Sequence, residues 1–371
     1  MMLEKVQSKS KSIYVTQPSL APISELIPYL ERIWKTGVMT HNGPLMLQFE
    51  KELSDYLGVN DVVCLANGTC ALQLAIRALE LSGEIITTPF TFIATANIIA
   101  WERCTPVFVD IDADTWNIDS SKIEDKITEK TSAILPVHVF SAPCDVNRIE
   151  LIANKHNLRV IYDAAHAMAV QCSGKSIMSY GNVSCTSFHA TKLFNTCEGG
   201  ACITNNEELA ARIRRMRFFG FNEQKDIVDD GMNAKMTELT AALGLVNLRH
   251  LDHVRNNRHQ KYQLYQSMLA DCSCIRFQKF NPNEYNYSYM PVCFSDENIL
   301  LRVIEKLNKE NIFPKRYFYP SLHETPVFNE ISNNISLPVS ESIARRILCL
   351  PLYDKLDTLN IERICKVLLT C

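Results

Sequence analysis

Between Asp61 and Tyr162 short apolar runs alternate with longer helical stretches, and that alternation restricts the chain to few folds. Val62–Leu65, Glu84–Thr88, Pro106–Val109, Ser132–Val137 and Arg159–Tyr162 are brief and apolar and predict strands. Ala71–Leu81, with Leu72, Ala75 and Leu79 on one face, predicts an intervening helix. Strands joined through helices run parallel and are covered on both faces, so an α/β fold with a mainly parallel sheet is expected. Ligands in such sheets bind beyond the carboxyl ends of the strands.

The flanking segments fill in the domain plan. Ile23, Leu26, Ile27, Leu30, Ile33 and Trp34 recur at helical spacing, with Pro28 predicting a kink or a late start. The turn Thr40-His41-Asn42-Gly43-Pro44, either a connector or part of a site, leads into a second helix at Leu45–Leu57. Downstream, Glu207–Phe218 predicts a basic helix, and a long helix after Gly231–Glu238 reaches about Asn257. A strand at Tyr287–Phe294, a helix at Glu297–Glu310 and a last helix after Thr358 suit a smaller unit. We therefore expect a large domain over 1–250 and a small C-terminal domain over 251–371.

Charge and cysteine content narrow the partners. A net charge of -3, from 38 basic and 41 acidic side chains, leaves no basic excess to recruit nucleic acid or an anionic membrane. The longest apolar-looking run, Phe90–Trp101, is shorter than the roughly 20 residues of a membrane span. The polar start, Met1–Lys11, lacks the apolar core of a secretory signal, so a cytoplasmic location is expected. Fourteen scattered cysteines without a C-x-x-C pair are expected to be reduced, mostly buried thiols, with no metal site.

Four short stretches carry candidate chemistry. In Ser187–Gly200 a lone lysine, Lys192, sits among small and apolar residues, five positions after Ser187 and ahead of a Gly199-Gly200 pair. Burial would lower its pKa and fit it to attack a carbonyl and form a Schiff base; a lysine snorkelling at the surface is the plainer alternative. Asp163 ends an apolar strand just before Ala164-Ala165-His166, either as a helix cap or as the partner of a buried cation. Asn67-Gly68-Thr69 feeds a helix N-terminus whose free amides could hold a phosphate or merely reverse the chain. Phe92 follows a strand and offers a ring face.

Together these are the parts needed to hold pyridoxal 5'-phosphate. Lys192 would carry the cofactor and shuttle a proton, and Asp163 would pair with the pyridine nitrogen. His166 would meet the ring hydroxyl, Phe92 would stack on the ring, and Gly68, Thr69 and Ser187 would hold the phosphate.

At these residues the chain resembles the DegT/StrS-type family of sugar aminotransferases. The matches run in order through Thr40–Pro44, Asn67-Gly68-Thr69, Thr91–Thr95, Asp163–Ala167, Ser187 to Lys192 with Glu198-Gly199-Gly200, Gly231-Met232-Asn233, Arg316-Tyr317-Phe318 and Leu350–Tyr353. The resemblance implies the fold type I architecture of pyridoxal-phosphate enzymes. It also implies a homodimer with active sites at the subunit interface, where Asn233 reaches the partner's cofactor phosphate. Members more often carry arginine where Lys235 stands, and relatives with histidine in place of the lysine are dehydratases. Within the family, Ile13–Leu20, His41–Pro44 and Arg316–Leu322 look most like enzymes that aminate dTDP-4-keto-6-deoxyglucose at C4 with L-glutamate. A 3-aminotransferase, a UDP-ketosugar aminotransferase and a non-catalytic regulator that binds the cofactor are the alternatives.

Overall fold

The computed structural model describes residues 12–331 and 335–370, so the polar start used to judge secretion lies outside the described residues. The chain opens with β1 (Ile13–Tyr14), α1 (Ile23–Thr36) and α2 (Pro44–Leu57). The alternating region forms β2 (Asp61–Leu65), α3 (Gly68–Ala78), β3 (Glu84–Thr87), α4 (Ile93–Trp101) and β4 (Thr105–Phe108). It continues through β5 (Thr131–Leu135), α5 (Val146–His156) and β6 (Arg159–Asp163). A small hairpin of β7 (Gln171–Cys172) and β8 (Lys175–Ser176) precedes β9 (Val183–Ser187) and β10 (Gly200–Thr204). Then come α6 (Glu207–Met216) and α7 (Glu238–Met268). The C-terminal part holds β11 (Ile275–Phe277), β12 (Met290–Phe294), α8 (Glu297–Lys309) and β13 (Ile312–Phe313). It closes with α9 (Pro326–Asn329), α10 (Pro338–Arg346), β14 (Ile347–Leu350) and α11 (Thr358–Leu368).

Seven strands form the central sheet in the order β2-β10-β9-β6-β5-β3-β4. It is mainly parallel; β10 alone runs antiparallel to its neighbours β2 and β9. The sequence reading had no strand at Gly200–Thr204. The loop from Phe188 to Gly199 contains no helix that could carry the chain back across the sheet, so β10 returns beside β9 in the opposite sense. That reversal leaves the Lys192 loop at the carboxyl edge of β9.

Both faces of the sheet are covered. Phe49 and Leu53 of α2 join Leu245 and Leu248 of α7 in one core, and Leu72 and Ile76 of α3 join Ile213 of α6 in another. α7 runs on past Asn257 because its apolar face continues: Tyr262 and Tyr265 are fully buried in a third core with Val292, Leu300, Leu348 and Ile364. β1 pairs with β13 through Ile13 and Ile312, so the first described strand packs with the C-terminal elements. α1 passes through Pro28 without a break in its helical span. The strand expected from Tyr287 starts only at Met290.

Two buried acids set the elements around the site. Glu50 accepts a hydrogen bond from the Cys64 amide at 2.8 Å and pairs with Arg217, which donates to the Cys64 carbonyl at 2.9 Å. This ion pair has backbone partners on both sides and pins the end of β2 just before the Asn67 turn. Glu238, the first residue of α7, accepts from the amides of Leu45 and Met46 at 2.9 and 2.7 Å, satisfying two donors at the start of α2. In this chain the His41–Pro44 turn therefore acts as a connector that seats α2 on α7. Among the described residues no helix is long and apolar enough to cross a membrane, no acid, histidine and cysteine cluster suits a metal, and the cysteines are free thiols.

Candidate active site

The carboxyl ends of β2, β3, β6 and β9 converge on a cavity of about 330 Å³. Gly68, Thr69, Phe92, Asp163, His166, Ser187 and Lys192 all line it. Asn233 does not; it is exposed on the approach to α7, where its Oδ1 accepts a hydrogen bond from Lys235 Nζ at 2.6 Å.

One end of the cavity is built from backbone. Asn67 caps α3 by accepting from the Cys70 amide at 2.8 Å, which leaves the first-turn amides of Gly68 and Thr69 without intrahelical acceptors. Gly68 faces Ser187 so closely that a Cβ there would lie 2.8 Å from the Ser187 Cβ. Helix amides, the positive end of the helix dipole and two hydroxyls thus share one small space.

In the same cavity Asp163 is 6% exposed, and its carboxylate accepts from Thr95 Oγ1 at 2.8 Å and from the Ala165 amide at 3.1 Å. Thr91 extends this chain through the Thr95 hydroxyl at 3.0 Å. Burial raises the Asp163 pKa, while these hydrogen bonds and the nearby Lys192 charge pull it down. A carboxylate so desolvated calls for a cation beside it.

His166 is buried, and its Nδ1 accepts the Phe140 amide at 3.2 Å. Burial holds its pKa well below the usual histidine range, so the ring is neutral with its proton on Nε2. That N–H is left as the donor toward the cavity. Phe318 stacks on the imidazole at 5.9 Å, and Phe140 lies parallel to it at 6.2 Å. Phe92, 58% exposed, stands at the N-cap of α4 on the cavity rim.

Lys192 is half-buried in the β9–β10 loop, and its Nζ donates to Tyr289 Oη at 3.4 Å. Desolvation brings its pKa down to about 8, against the opposing pull of Asp163. A fraction of the amine is therefore neutral near pH 7, as nucleophilic attack requires.

The sequence reading missed Tyr289, Lys315 and the hydroxyls of Thr91 and Thr95 as parts of this site. Tyr289 lies far along the chain from Lys192, and no local spacing signals their meeting. Asn195, in the same loop as Lys192, is structural: its side chain donates to the Ser19 carbonyl at 3.0 Å and its own carbonyl accepts from Asn247 at 2.9 Å. His189 and Glu198 line the cavity and face each other at 3.6 Å.

A lysine, an acid, a helix N-terminus able to cradle a phosphate and an N–H donor all line one cavity, and together they match the functional groups of pyridoxal phosphate. The cradle tolerates no side chain at Gly68, and the desolvated Asp163 gains from a protonated ring nitrogen, so the residues present fit that group. Fold and site define a pyridoxal-phosphate-dependent transferase. Residues 22–369 match the DegT/DnrJ/EryC1/StrS aminotransferase family, and the chain belongs to it. It is 40% identical to a dTDP-4-amino-4,6-dideoxy-D-glucose transaminase of Shigella dysenteriae, over 95% of this chain and 97% of that protein. Its identity to a protein of the same name from Escherichia coli is 41%, over 97% and 98% of the two chains. The crystal structure of DesI in the presence of its TDP-sugar product superimposes with a TM-score of 0.92 at 33% identity, covering 98% of this chain and 93% of DesI.

Proposed function

We propose that this protein moves the amino group of L-glutamate to C4 of dTDP-4-keto-6-deoxy-D-glucose, giving dTDP-4-amino-4,6-dideoxy-D-glucose. The observation that carries this reading is the near-full-length identity to two transaminases named for that product. The complete set of cavity residues supports catalysis over a purely regulatory role.

Bound pyridoxal phosphate supplies an electron sink for the charge left when a proton leaves the carbon bearing the amino group. Asp163 would hold the ring nitrogen in its protonated form, and the Thr95 and Ala165 donors keep that carboxylate oriented. Lys192 Nζ would serve as the base that takes the Cα proton of the amino donor and, with the ketosugar, as the acid that delivers a proton to the carbon being aminated. Gly68, Thr69 and Ser187 anchor the phosphate so that these transfers occur over a fixed distance. Phe92, on the cavity rim, would offer its ring to the bound cofactor.

The working form is a homodimer in which Asn233 of one subunit reaches the cofactor phosphate of the other. Lys235 Nζ donates to Asn233 Oδ1 and lies 4.4 Å from the Phe218 ring centroid, which orients the Asn233 amide. The large unit is taken as 1–250 and the small one as 251–371, with β1 crossing over to pair with β13. The free cysteines suit the reducing cytoplasm.

Purified protein supplied with glutamate and a panel of 3-keto and 4-keto sugars on dTDP and UDP tests the assignment. Turnover is expected with the dTDP-4-keto sugar; turnover of another member in its place would reassign the substrate. A cofactor spectrum that glutamate leaves unchanged would instead identify a regulator.

A further inference from the structure

Tyr289 is the one group that hydrogen-bonds Lys192 Nζ among the described residues, and it comes from the C-terminal part of the chain. Its place is fixed from several sides. Asn286 donates to the carbonyls of His166 and Met168 at 2.8 and 2.7 Å, and its Oδ1 accepts from both the amide and the hydroxyl of Ser288 at 3.0 and 2.7 Å. Arg258, fully buried in α7, donates to the Ser288 carbonyl at 3.2 Å. The segment just before Tyr289 is therefore tied to the Asp163–His166 loop on one side and to α7 on the other. The Tyr289 ring lies 4.7 Å from His166 and 5.6 Å from Phe140, and it is 7% exposed. So many fixed contacts leave the phenol few places to go.

We infer that Tyr289 is a positioning residue, whose phenol holds Lys192 Nζ in line for proton transfer through both halves of the reaction. The inference rests on the transamination reading above. When the amine is neutral, the Tyr289 O–H donates to its lone pair; when the amine has taken the proton from the donor Cα, it donates back to Tyr289 Oη. The phenol keeps its own proton throughout, in keeping with burial that pushes its pKa far up. Because Tyr289 stands just before β12 while Lys192 stands between β9 and β10, the reach of the lysine depends on how the C-terminal unit is seated.

Tyr289→Phe removes the hydroxyl and keeps the ring, so the aromatic packing is retained. In the cofactor-free protein the rate at which added pyridoxal phosphate becomes covalently attached, followed by absorbance and by borohydride trapping at Lys192, is expected to fall about tenfold, the loss of one hydrogen bond. With the loaded enzyme, kcat for the glutamate half-reaction is expected to fall by a similar factor with KM little changed. The isotope effect with Cα-deuterated glutamate should rise, as proton transfer becomes the slow step. Unchanged attachment and an unchanged isotope effect would overturn the inference. So would a raised KM with kcat intact, which would mark Tyr289 as a substrate contact. The attachment measurement uses neither substrate, so it stands apart from the choice of sugar and donor.

Discussion

Lys192 owes its chemistry to burial. Its Nζ titrates near 8, so the neutral, attacking form grows as pH rises. The rate of cofactor attachment to the cofactor-free protein is accordingly expected to climb from pH 6, reach half its plateau near pH 8 and level off above it, as measured by stopped-flow absorbance. The sign follows from the proton that must leave Nζ before it can attack. Lys192→Ala should lose covalent attachment and at least roughly 10³-fold in turnover, because the base in both half-reactions is gone. Its thermal unfolding should match the parent, since Lys192 is half-buried and its one side-chain bond, to Tyr289, is long. Turnover surviving at parental rates would remove Lys192 from the mechanism. At this scale local patterns left Lys192, Asp163 and His166 open, and only their combination with the family resemblance singled them out; the cavity contains all three. Tyr289 was not among them, since its pairing with Lys192 exists only once the two parts of the chain are folded together.

The decisive element is α3. Its N-terminus can offer its amides to a phosphate only because Gly68 lets the helix approach β9. Gly68→Ala would drive a methyl to 2.8 Å from the Ser187 Cβ and 3.3 Å from its Cα, so either the turn or the end of β9 must shift. We expect the cofactor dissociation constant to rise at least about tenfold and stability to drop by about 1–3 kcal/mol, the usual cost of overpacking. Fluorescence titration with pyridoxal phosphate and urea unfolding measure the two effects; parental affinity would show that the phosphate is held elsewhere. The turn was visible in sequence as Asn-Gly-Thr before an apolar helix. What could not be read there was β10, an antiparallel strand whose Gly200 packs against the Asn67 backbone and so closes the cradle from the other side. Gly-Ala-Cys-Ile-Thr is short and buried on both faces, so no polar alternation announces it as a strand.

For the whole molecule the central expectation is a dimer with shared sites. Sedimentation should give about twice the 42.2 kDa chain mass. A sharper test mixes two inactive variants, Lys192→Ala and Asn233→Ala, under conditions that exchange subunits. Each mixed dimer would contain one site with both residues intact, so about a quarter of all sites, and of parental activity, should return after random exchange. No recovery, with exchange verified by mass, would place Asn233 outside the partner's site.

By itself the sequence determined the mainly parallel α/β plan, because short apolar strands alternating with helices can bury themselves in few other ways. It also pointed to the cofactor, through the combination of lysine, aspartate and glycine turn and the family resemblance that their order carries, not through any one of them alone. Tertiary structure alone decided which distant groups complete those residues. Thr95 orients Asp163, Phe140 fixes the His166 tautomer, Glu50 and Arg217 hold β2, and Tyr289 meets Lys192. Each of these pairs is separated by long stretches of chain, so no local pattern records it; what joins them is the closure of the fold around a site that had been open to water.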